Sequence, residues 1–265
     1  MRHRWFFLCL ILGWSLFPSV VSGQAVEEEE SESHQLSTTK PAQRGTSSES
    51  APVVQHIISR TNAFRQEEGH QPVEANPQLM ATAQDFANFM ARTGKYGHTA
   101  DGHSPATRAQ QHDYDACLIA ENIAYQYSST GFATEQLAQG FFQGWQHSPG
   151  HRKNMLNPAV TETGVAVAQS EQTGYYYAVQ LFGRPQSQRL EFQITNHSTT
   201  EIPYAIGDRT LPLPPQYTRT HQRCRPVTLT FQWPDKQEST TVEPQHGARY
   251  VIVQGDAGKF TLQEE

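Results

Sequence analysis

Apolar residues recur every three or four positions along four segments in the first part of the chain, which is the spacing of a helix with one face against a core. The first segment covers residues 53–69 and ends at a glycine. The second, residues 76–94, opens on Asn-Pro, where asparagine caps the helix and proline takes its first position, and it also ends at a glycine. Shorter segments cover residues 104–112 and 134–145. This pattern predicts four amphipathic helices.

Strand-like runs appear only after these helices. Residues 164–168 and 175–182 are rich in valine, alanine and tyrosine, and a polar turn that ends at Gly174 separates them, so we expect an antiparallel hairpin. Beyond Pro185 apolar and polar residues alternate in short runs. These runs are residues 190–194, 202–206, 227–233, 250–253 and 260–262. The order of elements predicts an α+β domain, with helices covering a small sheet, followed by a separate small all-β sandwich.

The N-terminal residues have the composition of a segment that directs export. Positive residues precede about 13 apolar residues, too few for the roughly 20 that a membrane-spanning helix needs, and small residues follow. Residues 25–52 carry four consecutive glutamates and then mainly short polar residues, so we expect a disordered acidic linker. We therefore divide the chain into a signal peptide (1–24), this linker, an α+β domain (53–184) and a β-sandwich module (185–265). The protein is predicted to be secreted or periplasmic, without a transmembrane anchor after cleavage.

Charge and cysteine content limit the partners. The formal net charge is -6, and loss of the signal peptide makes it more negative by removing Arg2 and Arg4. Because lysine and arginine are nowhere clustered, we expect no nucleic-acid partner. Cleavage leaves Cys117 and Cys224 as the cysteines of the mature chain. In an oxidising compartment they either form a bridge between the two domains or remain separate buried thiols, and the sequence leaves both alternatives open.

Three polar segments of the α+β domain hold its candidate chemistry. The first surrounds His98 and is rich in glycine. The second contains Glu121 within an otherwise apolar stretch, where a carboxylate needs a partner or takes a shifted pKa. The third, residues 144–158, contains His147 and His151. These segments predict a polar cleft built from His98, Glu121 and His151.

The spacing of His147 and His151 matches the four-residue spacing of zinc ligands in helical metalloproteases. However, Ser148-Pro149-Gly150 lie between them, and this tripeptide does not continue a helix. No glutamate follows His147 to act as the general base of such an enzyme. The spacing therefore does not predict a metalloprotease helix, and we expect His103, His112 and His147 to be surface residues more readily than ligands.

Taken in order, the motifs of the α+β domain resemble those of the CAP superfamily, also called SCP or PR-1-like, in its short bacterial form. The motifs are N-A-F-R at 62–65, H-T-x-D-G at 98–102, S-P-x-x-R at 104–108, E-N-I-A at 121–124, W-x-x-S-P-G-H-R at 145–152 and N-M-L-N-P at 154–158. A G-V-A-V and Y-Y-A-V-Q-L-F-G hairpin closes the series. The resemblance covers about residues 53–184 and implies an α-β-α sandwich with a cleft in which two histidines and acidic residues meet.

Carried over residue by residue, His98 and His151 match the histidine pair of the family, and Glu121 matches the glutamate of its E-N-I motif. A second glutamate, which many animal and plant members have after the tryptophan, has no counterpart in Gln146, His147 or Ser148. Alanine also replaces the usual glycine before the E-N-I motif. The cleft therefore carries less acid, and His147 joins its candidate ligand-binding residues.

The resemblance implies two classes of function. Some relatives bind sterols and lipids, which favours an exported protein whose cleft takes a small apolar, peptide or envelope ligand. Family clefts can also bind zinc, which makes His98 and His151 a candidate pair for zinc or another divalent metal, completed by Glu121, His147 or His103. Proteolysis has been proposed in the family, so the alternative is a metal-assisted extracellular hydrolase.

Other interpretations of the same residues stay open. Glu121 with a histidine is a candidate general acid and base, which would act on water without a metal. His98, Glu121 and His151 are also consistent with a hydrogen-bonded network that holds loops together. The tyrosines of residues 175–177 are expected to pack in the core and on the sheet. A further alternative is an envelope or matrix interaction through the C-terminal module.

Overall fold

The structure, a computed structural model, describes residues 47–234, 238–255 and 257–265 of the chain. The predicted signal peptide, and the predicted linker as far as residue 46, lie outside the described residues. An α+β region is followed by an all-β region, and each has its own apolar core. Within the described ranges, none of the helices has the length and apolar content that crossing a membrane requires.

The α+β region is a sheet between two layers of helices. Its helices are α1 (Ser47–Glu67), α2 (Pro77–Thr93), α3 (Pro105–Gln111), α4 (Thr134–His147) and α5 (Pro149–Met155). Its strands are β1 (Glu74–Ala75), β2 (Ala116–Gln126), β3 (Glu162–Gln169) and β4 (Tyr176–Pro185). The strand order is β1-β3-β4-β2, in which β1 and β3 are parallel and the other pairs antiparallel. The long strand β2 therefore lies at an edge of the sheet.

Alternation along the strands assigns each helix to a face of the sheet. Ile123, Val179 and Leu181 pack in one core cluster with apolar residues of α2 and α3. Val165 and Phe182 pack in another with residues of α1, α4 and α5. Because side chains of a strand alternate between faces, Glu121 shares the face of Ile123, whereas Asn122 between them faces the other layer. The predicted α-β-α sandwich is confirmed.

The four predicted helices and the hairpin of β3 and β4 are present. Helix α1 begins at Ser47, so residues 47–52, which the sequence analysis placed in the linker, are helical. Composition does not separate a linker from the first turns of a helix here, because serine, glutamate and proline are common in both. Strand β2 and helix α5 are elements that the periodicity did not predict.

The all-β region is a sandwich of two antiparallel-rich sheets. The strands are β5 (Leu190–Asn196), β6 (Ile202–Ile206), β7 (Arg209–Leu213), β8 (Tyr217–Arg223), β9 (Leu229–Phe231), β10 (Thr240–Val242), β11 (Arg249–Gln254) and β12 (Phe260–Glu264). One sheet has the order β10-β9-β6-β7 and the other β12-β11-β5-β8. The sequence pattern did not predict β7, β8 and β10. All three are edge strands with few buried residues, which leaves the apolar alternation weak.

A disulfide bond joins Cys117 and Cys224, which are 107 residues apart in the chain. Cys117 lies at the start of β2, and Cys224 follows β8 and packs against the core of the α+β region. Of the two alternatives for these cysteines, the structure has the bridge. It attaches the edge strand of the first sheet to the β sandwich.

Candidate functional site

Glu121 is the buried centre of the polar cluster. It lies in β2, and its side chain is 1% exposed. One carboxylate oxygen, Oε1, is 2.8 Å from Nδ1 of His98, and the other, Oε2, accepts a hydrogen bond from Nη2 of Arg108 at 2.7 Å. Both oxygens therefore have a partner, which a buried carboxylate requires.

Arg108 connects this carboxylate to the loop that precedes α3. Its Nη1 donates to the Asp101 carboxylate at 2.9 Å and to the carbonyl oxygen of His103 at 2.8 Å, and its Nη2 also donates to the carbonyl oxygen of His98 at 3.0 Å. The guanidinium carbon lies 3.5 Å from the centre of the Phe86 ring. The guanidinium group is planar and has several donors in fixed directions, so it can bond to several loop atoms at once. Arg108 therefore holds the loop in one conformation around Glu121.

Sequence reasoning found the S-P-x-x-R motif that contains Arg108 but gave the arginine no role. The available signal was Glu121 in an apolar stretch, where a carboxylate needs a partner, together with a second acid, Asp101, in the polar segment before it. A cation is one such partner, and Arg108 is the arginine between the two acids in the sequence. Spacing along the chain could not show that α3 brings this side chain to β2.

His98 presents one ring nitrogen to the outside of the cluster. A carboxylate only accepts hydrogen bonds, so the contact between Nδ1 and Glu121 places the ring proton on Nδ1. In the neutral imidazole, Nε2 is then an acceptor with a free lone pair. The side chain is 32% exposed. His98 can therefore accept a hydrogen bond from a ligand, or bind a metal ion, through Nε2.

His151 is attached to β2 through asparagines. Nδ2 of Asn122 donates to the carbonyl oxygen of His151 at 3.2 Å. Nδ2 of Asn154 donates to Oδ1 of Asn122 at 2.9 Å and to the carbonyl oxygen of Glu121 at 3.2 Å. Because Asn122 is fully buried, these bonds fix α5, and with it the backbone of His151, beside the strand that carries Glu121.

The other histidines have different environments. His147 is the last residue of α4 and is exposed, and its side chain makes no hydrogen bond or ion pair within the described part of the chain. Ser148 separates it from α5, so the predicted interruption of the helix between the two histidines is confirmed. His103 is exposed, and His112 lies 3.1 Å from a carboxylate oxygen of Asp85 at the surface. The predicted role of His147 in ligand binding remains a prediction.

The donor set can be tested for its fit to a metal ion. No three histidine, cysteine, aspartate or glutamate side chains of the described residues are grouped so that they could hold one. Glu121 uses both oxygens within the cluster, where its contact to Nδ1 of His98 is the kind of carboxylate contact that orients metal-binding histidines. The predicted pair, His98 and His151, is thus a set of two ligands, compared with three in a typical catalytic zinc site.

Comparison with known proteins agrees with the motifs. Residues 58–182 match the sequence model of the family described as "CAP: Cysteine-rich secretory protein family". An uncharacterized protein, YkwD, of Bacillus subtilis (strain 168) is 26% identical over 129 residues, which are 48% of this chain and 46% of that protein. The chain therefore matches about half the length of this curated relative.

Two solved structures are similar over the same region. An outer surface protein from Borrelia burgdorferi is 18% identical with a TM-score of 0.45, and the match covers 51% of this chain and 94% of that one. An extracellular protein containing a SCP domain from Bacillus anthracis str. Ames is 26% identical with a TM-score of 0.43, and the match covers 51% of this chain and 41% of that one. These two proteins are described as outer-surface and extracellular.

The family match coincides with the α+β region and with the ordered motifs found in the sequence. It includes all three predicted cleft residues, His98, Glu121 and His151. The predicted relationship is confirmed by this match and by the bacterial relative. Residues 58–182 of this chain therefore form a domain of the CAP superfamily.

Proposed function

We propose that this CAP domain is an extracellular binding module whose ligand occupies the cleft beside His98. The pairing of Glu121 with Arg108 carries the proposal. A carboxylate that is bonded through both oxygens, one of them to a guanidinium, is a poor general base, because proton uptake would break a charge-assisted hydrogen bond. In this arrangement Glu121 instead orients the His98 ring toward a ligand.

The proposed ligand is a peptide or envelope component rather than a purely apolar molecule. Nε2 of His98 is an acceptor, so it pairs with an N–H or O–H group, and burying it against an apolar ligand would leave it without a partner. The matched family is described as secretory, which supports an extracellular location for this chain. Its predicted signal peptide supports export as well.

Substitution of His98 by asparagine tests the proposal. Asparagine can donate to Glu121 from a position close to that of Nδ1, but it has no group at the position of Nε2. We expect soluble fragments of digested bacterial envelope to shift amide resonances of the labelled wild-type chain around residues 98–108. The affinity should fall about tenfold in His98→Asn, the effect of losing about one hydrogen bond.

His112→Asn is the matched control, because His112 is a surface histidine that pairs with Asp85 away from Glu121. This variant should bind the fragments as the wild type does. Equal affinities of the wild type and a folded His98→Asn variant would refute a ligand contact at His98.

A metal-assisted hydrolase is the second proposal, supported by the carboxylate contact to Nδ1 of His98. His98 and His151 would hold the ion, which would supply a Lewis acid that polarises a bound carbonyl group. Calorimetric titration with zinc tests this. Uptake of one ion per chain that is lost in His98→Ala and in His151→Ala, together with peptide cleavage, is the expected result. A wild-type chain that takes up no zinc and cleaves no peptide would contradict it.

A further inference from the structure

We propose that a tyrosine patch beside the cleft binds an uncharged polysaccharide strand. The patch consists of Tyr96, Tyr125, Tyr127, Tyr175 and Tyr177. This proposal rests on the proposed function, since it extends the binding site of the cleft along β2. It names the class of ligand that such an extended site would take.

The five rings form one connected surface. The Tyr125 ring centre is 5.0 Å from that of Tyr96 and 5.7 Å from that of Tyr175, and the Tyr175 ring is 5.0 Å from that of Tyr127. Tyr177 completes the group at 6.2 Å from Tyr125 and 6.5 Å from Tyr175. These distances are those of interacting aromatic pairs, so the rings hold one another in place.

The patch continues directly from the His98 cluster. Tyr96 precedes His98 by two residues, and its hydroxyl donates to the carbonyl oxygen of Ile123 in β2 at 3.1 Å. Tyr125 pairs with Tyr177 of β4 and shares the face of Glu121, because both occupy odd positions of one strand. Six residues of extended chain separate Glu121 from Tyr127, a distance of about 20 Å. A ligand that reaches from His98 across the patch is therefore an extended chain.

The covering helix ends before it reaches these rings. Helix α2 packs on this face of the sheet and ends at Gly94, two residues before Tyr96. Tyr177 is 7% exposed, Tyr96 is 38% exposed, and the other three tyrosines are half-buried. Burial, the nearby tyrosines and Glu121 raise the pKa of Tyr96, so its hydroxyl stays protonated. The patch thus combines accessible ring surface with phenolic hydroxyl groups.

The chemistry of the patch favours a sugar polymer. The apolar C–H face of a pyranose ring packs on an aromatic ring while sugar and tyrosine hydroxyls exchange hydrogen bonds. The chain is acidic, and Lys95 is the one lysine or arginine within two positions of any patch tyrosine in the sequence, so the patch does not suit a polyanion.

Aromatic surfaces also bind proline-rich peptides, which need parallel ring walls that form slots. Here Tyr125 meets Tyr96 at 87° and Tyr175 at 71°, and the other neighbouring rings of the patch are tilted by 36° to 45°, so none of these pairs forms two parallel walls. The acceptor on His98 at one end of the patch also suits a hydroxyl-bearing ligand. The geometry therefore favours the polysaccharide over the peptide.

The test uses the full mature chain and calorimetry with the hexamer and dimer of β-1,4-linked N-acetylglucosamine and with cellohexaose. We expect at least one hexasaccharide to bind, and at least about tenfold more tightly than the dimer, because the dimer covers only part of the patch. Tyr125→Ala should weaken binding about tenfold, and Tyr125→Phe, which keeps the ring, by no more than about threefold. Tyr217→Ala, at a tyrosine of the β sandwich that is 50% exposed, should have no effect.

Several results would overturn the proposal. These are the failure of both hexasaccharides to bind, equal binding by the wild type and a Tyr125→Ala variant with a native amide spectrum, and binding of a proline-rich peptide in their place. Envelope fragments that depend on His98 but are insensitive to Tyr125→Ala would remove the tyrosine patch and leave the proposed function intact. Hexasaccharide binding that depends on Tyr125 but not on His98 would support the patch and remove the His98 contact.

Discussion

Arg108 determines the electrostatic balance of the polar cluster. Its side chain is 5% exposed and lies between the carboxylates of Asp101 and Glu121, which are 15% and 1% exposed. One guanidinium group thus faces two carboxylates within the cluster. Such a group is stable when its charges are hydrogen-bonded, and the loss of one partner is far more costly than the absence of the whole group.

We therefore expect Arg108→Ala to lower the free energy of unfolding by about 3–5 kcal/mol, because it leaves Glu121 buried without its cation. Urea denaturation monitored by circular dichroism measures the change. Arg60→Ala is the control. Arg60 pairs with Glu135 at 3.2 Å on the surface, and exposed ion pairs contribute less than about 1 kcal/mol. Equal losses of unfolding free energy in the two variants would show that the buried pair stabilises the protein no more than the exposed pair does.

His221 is a second residue whose surroundings have a measurable consequence. It lies in β8, is 5% exposed, and its Nε2 is 2.7 Å from the hydroxyl of Tyr204. Burial, followed by the positive charges of Arg223 and Arg219, lowers the pKa of His221 to about 4. The folded protein therefore holds this imidazole neutral at a pH where an exposed histidine is protonated.

This difference predicts a loss of stability in acid. The unfolded chain takes up a proton near pH 6.5, whereas the folded chain does so only near pH 4. The stabilisation is therefore complete above pH 6.5 and declines as the pH falls from 6.5 toward 4, by roughly 3 kcal/mol in total. Unfolding measured at several pH values should show this slope in the wild type and a shallower one in His221→Gln. His112→Gln, at a surface histidine, is the control and should keep the slope of the wild type. An unchanged slope in His221→Gln would contradict the assignment.

At the scale of elements, the contact between α2 and β3 requires a residue without a side chain. A Cβ atom at Gly164 of β3 would overlap the backbone carbonyl of Leu79 in α2. A backbone contact of this kind cannot be relieved by rotation of a side chain. The helix that covers the Glu121 face of the sheet is therefore held at a distance that only glycine permits.

Gly164→Ala is expected to lower the free energy of unfolding by about 3 kcal/mol or more, because α2 must move away from the sheet. Gly144→Ala is the matched control. Gly144 lies in α4, and a Cβ there would meet nothing within 4 Å, so this variant should gain about 0.5–1 kcal/mol from helix propensity. Thermal unfolding of both variants distinguishes the clash from a general effect of replacing glycine.

At the scale of the whole molecule, the Cys117–Cys224 bond connects the CAP domain to the β sandwich. It closes a loop with a sequence separation of 107 residues, and it starts four residues before Glu121 in the same strand. A closed loop of this length restricts the conformations of the unfolded chain. The double substitution Cys117→Ser, Cys224→Ser should therefore lower the free energy of unfolding by about 4 kcal/mol. Each region has its own apolar core, so both should retain native amide spectra in the variant.

Mass measurement of the purified protein under non-reducing conditions checks the bridge itself. Alkylation should find no free thiol until a reductant is added. Two free thiols in the mature protein would show that the bond does not form in the compartment that the protein reaches.

The sequence by itself determined four of the helices of the CAP domain, the final hairpin, the alternation of the central strands of the β sandwich and the family. These features follow from periodicity, caps and ordered motifs, which act over a few residues and are therefore visible in the chain. The interrupted helix between His147 and His151 was predictable for the same reason, because proline and glycine act locally.

Only the tertiary structure decided which polar residues meet. The contact of Glu121 with Arg108, the attachment of α5 through Asn122, and the choice of a bridge for Cys117 depend on how distant segments pack. The edge strands β7, β8 and β10 were also visible only in the tertiary structure, because backbone pairing rather than buried side chains defines them. Free energies of ion pairing and burial depend on neighbours in space, and the linear order of residues does not specify those neighbours.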